Sequence, residues 1–178
     1  METGSGVSTL IAGYSLQKNG HGRMISLEHD KYYLNETAKS VEHHQLGNCV
    51  QVVYAPLTDL NLQGQKYSWY DRSVLNTIKP ASIGILLVDG PPGNTQRLAR
   101  YPALPVLVKY LKDDALVIVD DADRDDEREM IHRWRQEFRC LKVNYIPSEK
   151  GVAVMTFDHK LEGDLPKCHP QPDLGATQ

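Results

Sequence analysis

Four short stretches of this 178-residue sequence group side chains that could do chemistry. The first is ETGSGVST, where Glu2 stands two residues before Gly4 and Gly6 follows at the alternate position. Glycines so spaced let the backbone turn tightly and let a ligand come close to it. Ser8 or Thr9 can cap the helix that follows. A carboxylate at Glu2 would repel a dinucleotide phosphate and favour a cation. The second stretch is ISLEHD, in which Glu28 closes an apolar run. An acid about twenty residues beyond a glycine turn can accept both hydroxyls of an adenosine ribose; the plainer reading is a solvated strand-end carboxylate. The third, LLVDGPPGN, sets Asp89 between an apolar run and a tight turn at Gly90 to Gly93. The fourth, VIVDDADRDDERE, crowds Asp120, Asp121 and Asp123 beside Arg124. Adjacent carboxylates repel, so something must compensate: a divalent cation, Arg124, or a helix N-terminus capped by Asp123 and Asp125.

An alternation of strands and helices must position these residues. A helix ending at Gly20 follows the glycine turn. Arg23 to His29 reads as a strand, and the helix after it places Leu34, Ala38 and Val41 on one face. CVQVVYA is a further strand, and NLQGQKYSWYDRS reads as a loop. IGILLV and ALVIV are apolar at every residue, which suits strands covered on both faces. Between them Leu104, Leu107, Val108 and Leu111 recur at helical spacing. A helix over Asp125 to Phe138 presents Ile131, Trp134 and Phe138, and a closing hairpin pairs LKVNYIP with GVAVMTF, its last strand antiparallel. The whole reads as one α/β domain, a doubly wound, mostly parallel Rossmann-like sheet over residues 1–158. Residues 159–178 read as a disordered tail. In such sheets ligands bind beyond the carboxyl ends of the strands, where all four stretches fall.

Composition bounds the partners. A net charge of −3 offers no electrostatic footprint for nucleic acid or an anionic membrane surface. No apolar run approaches the roughly 20 residues of a membrane helix. Cys49, Cys140 and Cys168, with no C-x-x-C pair, read as reduced thiols and a cytoplasmic setting. His43 and His44 read as solvated, and His21, His132, His159 and His169 lack metal-ligand spacing. Tyr67, Trp69 and Tyr70 could wall a substrate site or cover an apolar face.

In order, ETGSGVST, SLEHD, VDGPPG and VDDADR resemble the motifs of the class I S-adenosylmethionine-dependent methyltransferases. WYD, VDGPPG, RYPALPVL and DDADRDDERE with its downstream Trp resemble more narrowly a group of bacterial-type methyltransferase domains, over about Glu2 to Phe157. The resemblance implies a fold, a cofactor and roles. Glu2, Gly4, Ser5 and Gly6, with Ser8 and Thr9 behind them, would line the methionine and ribose end of S-adenosylmethionine. Glu28 would hold the ribose hydroxyls, with His29 beside the adenine and Ala55, Pro56 and Leu57 flanking its ring. Asp89 would face the methionine end or the reacting centre. By analogy with metal-dependent O-methyltransferases, Asp89, Asp120 and Asp121 stand where Mg²⁺ is bound, although the lysine base of the catechol type has no counterpart in GPPGN. The [DN]-P-P-[FYW] motif of adenine N-methylation is also absent.

The expected activity is methyl transfer to a small molecule or sugar, with metal-assisted O-methylation as one form. A nicotinamide-dependent oxidoreductase shares the glycine turn and distal acid, but Glu2 lies where its phosphate charge would approach. A non-catalytic nucleotide-binding domain is the third reading. The family sheet order, 3-2-1-4-5-7-6, places strand 1 centrally, yet Glu2 stands where that strand should end. The expectation is therefore a sheet lacking its first strand, in a truncated chain.

Overall fold

The computed structural model describes residues 1–158; the expected disordered tail lies outside them. The element order is β1 (Glu2–Thr3), α1 (Val7–Asn19), β2 (Met24–Glu28), α2 (Lys31–His43), β3 (Val50–Tyr54), β4 (Leu57–Leu62), β5 (Gln65–Tyr70), β6 (Ile83–Val88), α3 (Ala103–Leu107), β7 (Leu111–Asp120), α4 (Asp125–Glu137), β8 (Leu141–Ile146) and β9 (Val152–Phe157). Seven strands form one sheet in the order β3-β2-β1-β6-β7-β9-β8. Pairing is parallel from β3 to β7, while β9 runs antiparallel to both β7 and β8. The doubly wound sheet and its antiparallel last strand are as expected.

The central strand, expected to be missing, is present in two residues. Glu2 pairs with Ser26 and Leu87, and Thr3 with Leu27 and Val88. The ladder extends one residue either way: Leu87 N–H donates to Met1 O at 2.9 Å, Asp89 N–H to Thr3 O at 3.0 Å, and Gly4 N–H to Leu27 O at 2.9 Å. These bonds satisfy the ends of β2 and β6 nearest the site, where an unpaired buried group would cost about 1–3 kcal/mol.

Four further expectations are corrected. The stretch read as a loop is an antiparallel hairpin, β4 with β5, turning through Gln63 and Gly64 at φ 51° and 76°. Its Tyr67, Trp69 and Tyr70 are buried in the main core, and Tyr70 also reaches the edge of the sheet that carries the motifs. Leu111 is not on a helix: α3 has five residues, a 3₁₀ turn follows, and Leu111 opens β7. On α2 the buried positions are Thr37 and Val41, while Ala38 is exposed. Two-sided burial of the apolar strands also fails. β6 buries Ile83, Leu86 and Val88, but Ile85 is 52% exposed, on the face it shares with Leu116 of β7.

Cys49 is a free thiol, but Cys140 is disulfide-bonded, against the reading of reduced cysteines. Among the described residues no helix is long and apolar enough to cross a membrane.

Candidate active site

The carboxyl ends of β1, β2, β6 and β7 bring the four motifs to one edge of the sheet. Glu2 is fully buried beneath the glycine turn. It accepts from Ser8 Oγ, from Thr9 Oγ1 at 2.5 Å and from Ser26 Oγ at 2.8 Å. Thr9 Oγ1 in turn accepts Gly6 N–H at 3.0 Å. Ser8 and Thr9 therefore tie α1 to Glu2, and the N-cap position belongs to Gly6. Gly4 takes φ +90°, a conformation L side chains rarely adopt, and packs against the backbone of Asp89 and Gly90.

Glu28 is 4% exposed rather than solvated. One oxygen accepts Ser5 N–H at 3.0 Å and Ser5 Oγ–H at 2.8 Å; the other accepts the backbone N–H of His29 at 2.8 Å and of Asp30 at 2.9 Å. Ser5 Oγ also lies 3.1 Å from Thr37 Oγ1 on α2. His29 Nδ1 lies 3.1 Å from Glu28, and its ring meets Tyr70 edge-on at 6.1 Å. Ala55 is fully buried and donates its N–H to Glu28 O at 2.7 Å; Pro56 accepts Asp71 N–H at 2.8 Å as the chain enters β4 at Leu57. Glu28, His29 and Ala55 to Leu57 thus share one end of the edge, and Gly4, Ser5 and Asp89 its middle.

Tyr70, on β5, reaches the same middle. Its hydroxyl is buried and has no hydrogen-bond partner among the described residues. Burial beside Glu28 holds the phenol above its ordinary pKa, so it stays protonated. A Cβ on Gly90 would fall 2.3 Å from that hydroxyl and 3.0 Å from Gly4 Cα.

Asp89, Asp120 and Asp121 converge, with one carboxylate oxygen of each within 4.8 Å of the others. A residue to which sequence reasoning gave no role sits among them. Arg100, 4% exposed, donates through Nη2 to Asp89 Oδ1 at 3.0 Å and to Asp121 Oδ2 at 3.2 Å. Its Nη1 donates to the Asp120 carbonyl at 3.0 Å, and its Nε lies 3.5 Å from Glu127 Oε1. Arg124 adds a second contact to Asp121 at 3.0 Å. The expected capping by Asp123 and Asp125 is not made: Arg124 holds the N-cap position of α4 without a side-chain bond, and Asp123 lies 3.4 Å from Arg128. Burial raises the Asp89 carboxyl to a pKa of about 6, with Arg100 opposing the rise. A cavity of about 530 Å³ adjoins this cluster, lined by Pro92, Gly93, Asn94, Arg124 and the start of α4.

A fold of this strand order, with a glycine turn and an acid at each neighbouring strand end, defines a class I S-adenosylmethionine-dependent methyltransferase. The comparisons agree. A family model described as a methyltransferase domain matches residues 1–122, and the chain belongs to that family. Among solved structures, a Podospora anserina methyltransferase, PaMTH1, bound to SAH has a TM-score of 0.65 at 13% identity, over 88% of this chain and 70% of that one. The O-methyltransferase TomG of Streptomyces achromogenes, in complex with SAM, gives 0.61 at 14% identity, over 88% and 71%. A methyltransferase of Geobacter sulfurreducens gives 0.53 at 17% identity over 76% of this chain, which spans 58% of that structure's length. No curated protein matched the sequence.

Proposed function

We propose that this protein transfers a methyl group from S-adenosylmethionine to an oxygen of a small-molecule acceptor, with Asp89 as general base. The observation that carries the reading is the state of Asp89. It follows β6 beside Gly4, its side chain is 38% exposed, and among the described residues only one of its oxygens is engaged, by Arg100. A carboxyl with a pKa of about 6 is ionised at neutral pH yet basic enough to take a proton.

The cofactor fits the donor and acceptor chemistry of the edge. Ribose hydroxyls are donors and need an acceptor, which Glu28 supplies in exchange for the Ser5 hydroxyl. The sulfonium and ammonium charges suit an edge carrying Glu2, Glu28 and Asp89 better than a pyrophosphate would, which disfavours the nicotinamide reading. When bound, S-adenosylmethionine supplies an activated methyl: the new C–O bond forms as the C–S bond breaks, and sulfur keeps the electron pair. The protein's part is positioning and proton removal. Gly4 and Gly90 let the glycine turn and the turn after β6 pack against each other, which fixes the floor of the site. Asp89 accepts the acceptor's hydroxyl proton on its free oxygen while Arg100 fixes the other. The cavity lined by Pro92, Gly93, Asn94 and Arg124, three residues along the chain from Asp89, is the seat we propose for the acceptor.

Mg²⁺ does not fit the three aspartates as they stand, because Arg100 holds two of them, and no step is drawn through a metal. The test is calorimetric titration of S-adenosylhomocysteine into the full chain with NAD⁺ as control. Micromolar binding of the former alone is expected; binding of NAD⁺ alone, or of neither by a folded chain, would overturn the reading.

A further inference from the structure

Resting on that reading, we propose that Arg100 is the resident cation of the acidic cluster, in the place a divalent ion holds in metal-assisted transfer, so that this chain binds its cofactor and works without metal. A hard divalent ion would need the oxygens of Asp89, Asp120 and Asp121. The Asp89 and Asp121 oxygens nearest Arg100 already accept from its single Nη2, at 3.0 and 3.2 Å. A guanidinium cannot shed its proton to make room. Nor can it readily swing away. It is 4% exposed, Nη1 is tied to the Asp120 carbonyl at 3.0 Å, and its departure would strand Glu127, itself 4% exposed, without its partner at 3.5 Å. Arg124, at 3.0 Å from Asp121, adds a second positive charge to the cluster.

Two consequences follow for the reaction. Asp89 accepts one bond from a guanidinium that its other contacts hold in place, so Arg100 acts as a positioning residue for the proposed base. The acceptor also gains nothing from chelating a metal, so a single hydroxyl suffices where a metal site would favour a vicinal pair.

The probe is Mn²⁺, followed by the electron paramagnetic resonance signal of the free ion as the full chain is added. The wild-type chain should leave the signal unchanged, and S-adenosylhomocysteine should bind with the same affinity, within about twofold, in EDTA and in Mg²⁺. Arg100→Gln, which uncovers the carboxylates, should gain Mn²⁺ binding by about tenfold or more, while Arg100→Lys should not. Uptake of Mn²⁺ by the wild-type chain that Asp121→Asn abolishes, or loss of cofactor affinity in EDTA, would overturn the proposal. These two wild-type arms decide the matter even if Arg100→Gln does not fold. Failure of S-adenosylhomocysteine to bind in every buffer counts against the methyltransferase reading and leaves the Mn²⁺ arm to judge Arg100.

Discussion

Glu28→Gln separates two duties that one carboxylate performs. In the folded chain both oxygens are filled by four donors at 2.8 to 3.0 Å, and the side chain is almost wholly buried. The amide keeps one oxygen and replaces the other with a donor. Its better orientation turns the NH₂ toward Ser5, whose hydroxyl can invert and accept, leaving Ser5 N–H alone unpaired. One charge-assisted bond is then lost, about 1.5–3 kcal/mol, partly offset because a carboxylate no longer has to be desolvated. A net loss near 2 kcal/mol corresponds to a fall in Tm of about 4–8 °C for a chain of this length. Ligand binding should suffer more, since both ribose hydroxyls need acceptors and the amide offers one. Affinity for S-adenosylhomocysteine should drop by at least about tenfold. Ser5→Ala is the counterpart. It removes one donor from Glu28, opens that position to the ribose, and should leave affinity unchanged or improved. Thermal melts and calorimetry on both variants decide the issue. If folded Glu28→Gln binds as tightly as the wild type, or Ser5→Ala weakens binding as much, Glu28 serves only to anchor the glycine turn.

Other perturbations test the remaining parts of the site. The transfer rate should rise as pH passes up through about 6, where Asp89 ionises, and level off near neutrality; Asp89→Asn should lose about 10²–10⁴-fold in rate and the pH step with it. The same raised pKa means that ionised Asp89 burdens the fold above about pH 6. That burden lifts as pH falls from about 6 toward the ordinary value of 3.8, so chemical denaturation should show the wild type gaining on Asp89→Asn across this window. Tyr70→Phe removes a buried hydroxyl without a partner, so a thermal melt should show Tm unchanged or slightly raised; a clear fall would reveal a partner. Gly90→Ala places a methyl 2.3 Å from the Tyr70 hydroxyl and should cost about 1–3 kcal/mol, whereas Gly93→Ala, which meets nothing within 4 Å, should melt like the wild type.

The alternation of strands and helices and the position of each motif were legible in the sequence because apolar runs and their following acids are local signals; the sheet order was implied only by the family resemblance, and the two-residue central strand was too short to show as an apolar run. The hairpin was not. Its polar turn and three aromatic residues resemble a loop, and only the pairing of Tyr67 with Leu60 across Gln63 and Gly64 shows that alternate residues face inward. Leu111 kept helical spacing with Leu107 although the helix ends there, because spacing cannot see that Leu111 aligns with Ile83. Arg100 stood at the head of RYPALPVL without a role for a stronger reason. Its partners lie 11 to 27 positions away, after β6, at the end of β7 and in α4, and an arginine before Tyr-Pro carries no local sign of them.

The acids of this edge share a chemistry and differ in fate, and their neighbours decide which. Glu2 has its oxygens taken by three hydroxyls and is sealed under the glycine turn, where it ties that turn to α1 and β2. Asp121 is clasped by two arginines and 8% exposed, which makes it part of the scaffold that fixes Arg100. Glu28 is filled as well, but one of its donors is a hydroxyl that can rotate away, so it can exchange an internal bond for one to a ligand. Asp89 alone of these four combines an arginine on one oxygen with a second oxygen open to solvent. A base needs that combination: held firmly enough to be placed, and free enough to take a proton.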